Sequence, residues 1–116
     1  LLGKIQGAVG RDLHGTNLSS TILFQADMRG VNLTNANLSL AVLETANLGG
    51  ANLRSAIFSG TDCFRTIFTN AALNSADFSS ADLTRANFLG ATTNGANFSG
   101  ATFFQTIMPD GSIRNF

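Results

Sequence analysis

Few side chains in this 116-residue chain are of types that perform chemistry. His14 is the sole histidine and Cys63 the sole cysteine. His14 falls at an outward position of the first repeat unit, near Asp12 in sequence. A solvated surface histidine is therefore the expectation. A catalytic thiol needs exposure and a lowered pKa. Cys63 instead falls where Leu or Phe otherwise recurs, and reads as a small buried hydrophobe. One Cys and one His cannot furnish a zinc site of the usual spacing. Gly3, Gly7 and Gly10 do not form a phosphate loop. The expectation is no enzyme, no cofactor, and no catalytic, cofactor-binding or metal-binding residue.

Two further motifs are products of a repeat. Asn17, Asn32, Asn37 and Asn97 each begin an Asn-X-Ser/Thr triplet, the acceptor for N-glycosylation. Any ANLS-like unit generates one automatically. Ser19, Ser39, Ser59, Ser79 and Ser99 stand 20 residues apart and form a column open to an ice- or sugar-binding reading. Solvated turn residues explain it more simply.

The elements that would position these residues come from that repeat. From Arg11 to Asp110 the chain divides into twenty pentapeptides without insertion, for example VNLTN, ANLSL, ANLGG, ADFSS and ANFSG. The third residue is Leu in ten units, Phe in six and Met in two, with Cys63 and Thr93 the exceptions. Two residues earlier stands Ala thirteen times and Thr five times. Asn or Asp lies between them in twelve units. A helical period of about 3.6 residues drifts against a strict five, so no helix face would stay apolar. Residues two apart share a face of a strand, so the first and third residues point the same way. The chain must then turn a corner in every unit, at the Gly, Asn and Ser supplied there.

The Ser column shows how many corners close a turn. Phe24, Phe64 and Phe104 fall in one other class of the same 20-residue period. Four units therefore make a coil, and the chain about five coils that rise about 24 Å at strand spacing. Inward side chains stack in columns. One holds Leu18, Leu38, Phe58, Phe78 and Phe98; the opposite one holds Met28, Leu48, Phe68, Phe88 and Met108. Thr93 breaks the pattern with an inward polar group, its hydroxyl meeting backbone or the coil loosening there. Residues 1–10 place Leu1, Leu2, Ile5, Ala8 and Val9 at helical spacing and predict a short amphipathic cap. Residues 111–116 read as a degenerate repeat or cap after the Pro109-Asp110-Gly111 turn. Ile113 would enter the core over Thr93, and Phe116 would close the end or stand exposed as a docking residue.

The A(N/D)LXX pattern over residues 11–110 resembles the pentapeptide-repeat family, in particular its cyanobacterial and chloroplast members. The resemblance implies an all-β fold, a right-handed quadrilateral β-helix with the first and third residues inside and the others facing solvent. It also raises one known activity, since some members mimic DNA and bind DNA gyrase. Duplex DNA carries a charge per about 1.7 Å, so a 24 Å rod needs about fourteen negatives. This chain has seven Asp+Glu balanced by seven Lys+Arg, scattered around all four sides. DNA mimicry is the disfavoured alternative.

Charge and composition bound the rest. Net charge is zero and charged residues are only 12%, so nothing draws the chain toward nucleic acid or an anionic membrane. No apolar run approaches the roughly 20 residues of a membrane span, and no secretory signal pattern is legible. The chain begins at Leu1, as a processed or trimmed chain would. A single Cys leaves the redox compartment open, so cytoplasm and thylakoid lumen or periplasm both stay possible. One side stands out: its outward residues include Ile22, Phe24, Val42, Phe64 and Phe104, with Leu40 at the corner leading in and Arg65, Arg85, Gln25 and Gln105 at its edge. An apolar strip with a polar border marks an interaction surface for a protein partner or a second copy. The coil ends are the other route to a homodimer, and Phe rings that merely cover backbone are the plain alternative.

Overall fold

The computed structural model describes residues 7–116. Its architecture follows from how one pentapeptide places its five N–H groups, and residues 31–35 serve as the example. Val31 donates back to the Met28 carbonyl across the corner, at 3.2 Å. Asn32 donates to Arg11 of the coil before, at 2.8 Å, and Leu33 to Asn52 of the coil after, at 2.8 Å. Asn35 donates to Arg54, again one coil on, at 3.0 Å. The remaining donor, Thr34 N–H, meets the Asn32 side-chain oxygen at 3.1 Å. No backbone donor of the unit is left over, as buried or half-buried backbone requires.

Repeated along the chain, this pattern pairs residues 20 apart in parallel, from Asp12 with Asn32 to Asn87 with Ile107. Each pairing is a single bridge. A side is too short for a ladder, because the fourth and fifth residues turn the corner. The fifth residue carries the turn: from Gly15 to Gln105 every one is left-handed, with φ between 49° and 74°. That conformation costs a non-glycine residue about 1–2 kcal/mol, yet twelve of these positions are Ser, Asn, Arg, Gln, Thr or Leu. The inter-coil hydrogen bonds hold them there.

First and third residues point inward and are buried from Leu18 to Ala91. Leu18, Leu38, Phe58, Phe68, Phe78 and Phe88 are all buried, while Phe98 is half-buried at the margin of the same cluster. The phenylalanines order themselves strictly. Rings one coil apart stack, Phe58 on Phe78 at 4.6 Å and Phe68 on Phe88 at 5.0 Å, with interplanar angles of 4°. Rings of opposite columns meet edge-on, Phe68 against Phe78 at 5.4 Å and 87°. Both geometries are favourable for aromatic quadrupoles, at about 0.5–1.5 kcal/mol per pair beyond burial. Where Thr replaces Ala beside them, its hydroxyl bonds backbone: Thr61 to the Phe58 carbonyl at 2.8 Å and Thr66 to that of Leu43 at 2.7 Å.

Two strands proper lie at the C-terminal end. Strand β1, Thr106–Ile107, pairs antiparallel with β2, Ile113–Arg114. The chain thus folds back instead of adding another parallel rung over Ala91–Gly95. The left-handed residue moves from the fifth position to Gly111, with φ of 87°, and the reversed segment leaves both β2 residues exposed. Ile113, expected inward over Thr93, is 57% exposed. Arg114 instead lies over the Phe103 ring, 3.7 Å from its centroid. Phe116 is 94% exposed and closes nothing.

At the other end, Ala8 is buried and Gly10 has the left-handed φ of 68°. Arg11 N–H donates to the Ala8 carbonyl and Gly10 N–H to that of Arg29, both at 2.9 Å. Residues 8–10 therefore continue the repeat geometry and are not helical. Leu1, Leu2 and Ile5 of the expected amphipathic cap lie outside the described residues.

Candidate interaction face

The reactive residue types occupy ordinary structural roles. His14 Nδ1 sits 2.8 Å from Asp12 Oδ1, with both side chains well exposed. The hydrogen bond to His14 holds the Asp12 carboxyl below its usual range. Cys63 is wholly buried with the Thr61 hydroxyl 3.1 Å from its sulfur, and burial pushes the thiol up to about 12. A thiol so placed is not a nucleophile at neutral pH. Among the described residues no group of three or more His, Cys, Asp or Glu could hold a metal ion.

The Asn/Asp position has a structural role that spacing alone did not reveal. In each of the twelve units that carry one, the side-chain oxygen accepts the N–H two residues on, for example Ser39 on Asn37 and Ser79 on Asp77, both at 2.9 Å. The same bond involves Asn17, Asn32, Asn37 and Asn97, so the glycosylation-like triplets are turn geometry. It also accounts for Ser19, Ser39, Ser79 and Ser99, whose N–H groups are the donors. Such a turn restricts the backbone at the corner.

Outward side chains carry what the interior does not dictate. On the side built from residues 21–25, 41–45, 61–65, 81–85 and 101–105, Ile22 is 57% exposed, Phe24 43% and Phe104 48%. Leu40, at the corner before it, is 64% exposed, although its left-handed φ of 59° disfavours a large side chain. Val42 and Phe64 are half-buried. Phe64 is partly covered by the Arg65 guanidinium, 5.5 Å from its ring centroid. The six residues expected to form a surface are thus on one side of the rod or its leading corner, though unequally exposed.

The acidic residues are less evenly spread than the bare sequence suggests. Three of the seven, Glu44, Asp62 and Asp82, stand on this same side. Asp62 and Asp82 are direct bridge partners in adjacent coils. Each accepts a turn bond, from Phe64 N–H at 3.1 Å and Thr84 N–H at 3.0 Å. Arg65 and Arg85 follow at the far corner, exposed. Elsewhere Arg29 makes two 2.7 Å bonds to Asp27, which hold that carboxyl down and the guanidinium up. No continuous acidic stripe runs along the rod.

The chain matches the family described as Pentapeptide repeats, in 8 copies over residues 12–50, 46–85 and 81–110. No curated protein matches it. Among solved structures, it is similar to a pentapeptide repeat protein from the Arabidopsis thaliana thylakoid lumen, with 30% identity and a TM-score of 0.85 over 94% of this chain and 73% of that one. A trypsin-treated form of QnrB1, a plasmid-mediated fluoroquinolone resistance protein, is 18% identical with a TM-score of 0.51, over 84% of this chain and 70% of that one; that likeness concerns the fold alone. The pentapeptide repeat protein Rfr23 from the cyanobacterium Cyanothece 51142 is 23% identical with a TM-score of 0.41, over 86% of this chain and 89% of that one.

Proposed function

This chain belongs to the pentapeptide-repeat family, and from that premise we propose that it is a non-enzymatic binding or scaffold module. Its working surface is the side carrying Phe24, Phe64 and Phe104 together with Ile22, Val42 and Leu40. The observation that carries this reading is the exposure of Ile22, Phe24, Leu40 and Phe104 along one side of a rod whose interior needs none of them. Contiguous exposed apolar side chains with a polar rim are the usual mark of an interaction site.

The frame for this surface is a right-handed quadrilateral solenoid of about five coils, with repeats at 11–110 and terminal segments at 1–10 and 111–116. The partner is a protein, or a second copy engaged through this side or the coil ends; nucleic acid is not expected. The lumenal source of the Arabidopsis relative favours the thylakoid lumen over cytoplasm or periplasm. A DNA-mimic role toward gyrase fits worse, because net charge is zero and Arg65 and Arg85 border the three carboxylates of this side.

The test is a Phe24→Ser/Phe64→Ser/Phe104→Ser variant. These are outward positions, so the variant keeps its melting temperature within a few degrees. The expected result is a changed solution mass, or loss of a defined set of proteins retained by the parent. An unchanged mass together with an unchanged set refutes the surface.

A further inference from the structure

We propose that the occupant of this face is an amphipathic α-helix of a partner protein, laid along the rod axis; the inference rests on the surface reading above. Three observations select a helix. First, the N–H and C=O groups of this side already point along the axis into neighbouring coils, as in Leu43 N–H to Asp62 and Cys63 N–H to Asp82. A strand laid on the face would find no backbone partner there, so the occupant must satisfy its own hydrogen bonds. Second, the apolar strip is narrow. Its three rings stand in one outward column, with Asp62 and Asp82 on one flank and Arg65 and Arg85 on the other, and a helix of about 10–12 Å diameter covers such a column.

Third, spacing and charge match a helix. The outward Phe column reads Phe24, Glu44, Phe64, Thr84, Phe104, one Phe on every second coil. Two coils rise about 9.6 Å and seven helical residues about 10.5 Å. Apolar residues at i, i+7 and i+14 of a helix therefore come over the three rings in turn, drifting by only about 2 Å overall, once the Arg65 guanidinium swings off the Phe64 ring it partly covers toward the acidic flank of the helix. Along one flank of the Phe column lie Ile22, Val42, Asp62 and Asp82; along the other lie the corner residues Gln25, Thr45, Arg65 and Arg85. Among the described residues none of Asp62, Asp82, Arg65 and Arg85 forms an ion pair. The complementary helix carries basic residues on one flank and acidic residues on the other, both over coils three and four.

The probe is a synthetic 18-residue helical peptide with Leu at i, i+7 and i+14, Lys on one flank and Glu on the other. The control has the same composition with Leu spaced every five residues. Binding is followed by fluorescence anisotropy, helix gain by circular dichroism, and the site by NMR shifts of the Phe24, Phe64 and Phe104 rings. The expected result is binding of the first peptide at least tenfold tighter than the control, with helix gain and shifts at those rings. Phe64→Ser weakens it at least tenfold. Asp62→Lys/Asp82→Lys weakens it similarly, and a peptide with Glu in place of the Lys flank restores it. Equal binding of the control, binding without helix gain, shifts elsewhere, or a parent that self-associates through this face would each overturn the helix. If the triple Ser variant changes mass or retained proteins while the helical peptide fails, the surface stands and the helix falls. If neither responds, both fall.

Discussion

Cys63 offers an unusually clean pH experiment. Its sulfur is wholly buried in the column of Leu23, Leu43, Leu83 and Phe103, and burial lifts the thiol from 9.0 to about 12. The polar hydroxyls of Thr61 and Thr66 beside the sulfur oppose the rise in part; the nearby Asp62 and Asp82 add to it. The folded pKa lies above the unfolded one, so the folded state holds the proton longer. The contribution to stability is complete below about pH 9 and is lost as pH rises from there toward 12. At pH 10 the unfolded thiol is mostly ionised and the folded one is not, a loss on the order of 1 kcal/mol.

Other groups scarcely interfere, because the chain has no Tyr and its only Lys is Lys4. The assay is urea denaturation from pH 7 to 10.5, followed by circular dichroism because Trp is also absent. Cys63→Ala loses on the order of 1 kcal/mol at all pH values through the vacated volume. Its stability should then stay flat where that of the parent falls. Iodoacetamide should label Cys63 only at the rate of unfolding. If parent and variant decline equally between pH 8 and 10, or if the native thiol labels freely, the buried placement of Cys63 is wrong.

Four further substitutions, three of them with a companion variant for comparison, probe the remaining elements by the same denaturation. Phe78→Ala removes the ring stacked on Phe58 and Phe98 and edged by Phe68 and Phe88; it should cost about 3–5 kcal/mol, and Phe98→Ala, half-buried, distinctly less. Asn37→Ala removes the acceptor of the Ser39 N–H and should cost about 0.5–1.5 kcal/mol, with Asn37→Asp retaining most of it. Gly90→Ala should cost about 1–2 kcal/mol through its φ of 74° plus a clash with the Asn70 side chain; adding Asn70→Ala should relieve only the clash. Thr93→Leu restores the residue type of Leu33, Leu53 and Leu73 beneath it and should raise stability by about 1 kcal/mol; a lower melting temperature would contradict an inward Thr93.

Much of the fold was legible because the repeat states each instruction many times. The 20-residue recurrence of Ser and Phe predicted the pairing of Asp12 with Asn32 and its successors. Alternation placed Leu38 and Phe58 inside, where they are buried. Ile113 departs from its expected inward place because the five-residue frame does not continue through Pro109-Asp110-Gly111. The left-handed residue shifts to Gly111, the chain reverses to pair with Thr106–Ile107, and Ile113 and Arg114 both stay exposed. The Asn/Asp preference was visible but unexplained, since a bond from a side chain to an N–H two residues on becomes apparent only once the corner has a shape. The Phe face was legible as a list of outward residues. Its unequal exposure was not, because the cover Arg65 provides over Phe64 depends on a side-chain conformation.

The physics of the unit says where function can be written. First and third residues are committed to the interior, the second to the turn bond and the fifth to a left-handed corner. Only the fourth side chain is free of the scaffold, and the second becomes free where the turn bond is given up. Phe24, Phe64 and Phe104 occupy the fourth position on one side, and Ile22 and Val42 the second. At Ile22 and Val42 no side chain can accept the N–H of Phe24 or Glu44, which forgoes about 0.5–1.5 kcal/mol each. Nothing in the interior calls for that loss, since Leu23 and Leu43 are buried in any case. An apolar second position with a Phe two residues on departs from what the rod requires at two places in one unit. Ile57, Ile67 and Ile107 are also apolar second residues, on other sides, but only Ile22 is followed two residues on by an outward Phe, and that unit is where the proposed surface makes its clearest demand. Restoring Asn at both Ile22 and Val42 should therefore stabilise the free chain while weakening whatever binds this side, and a variant that gains neither stability nor loses binding would sever the link between the two.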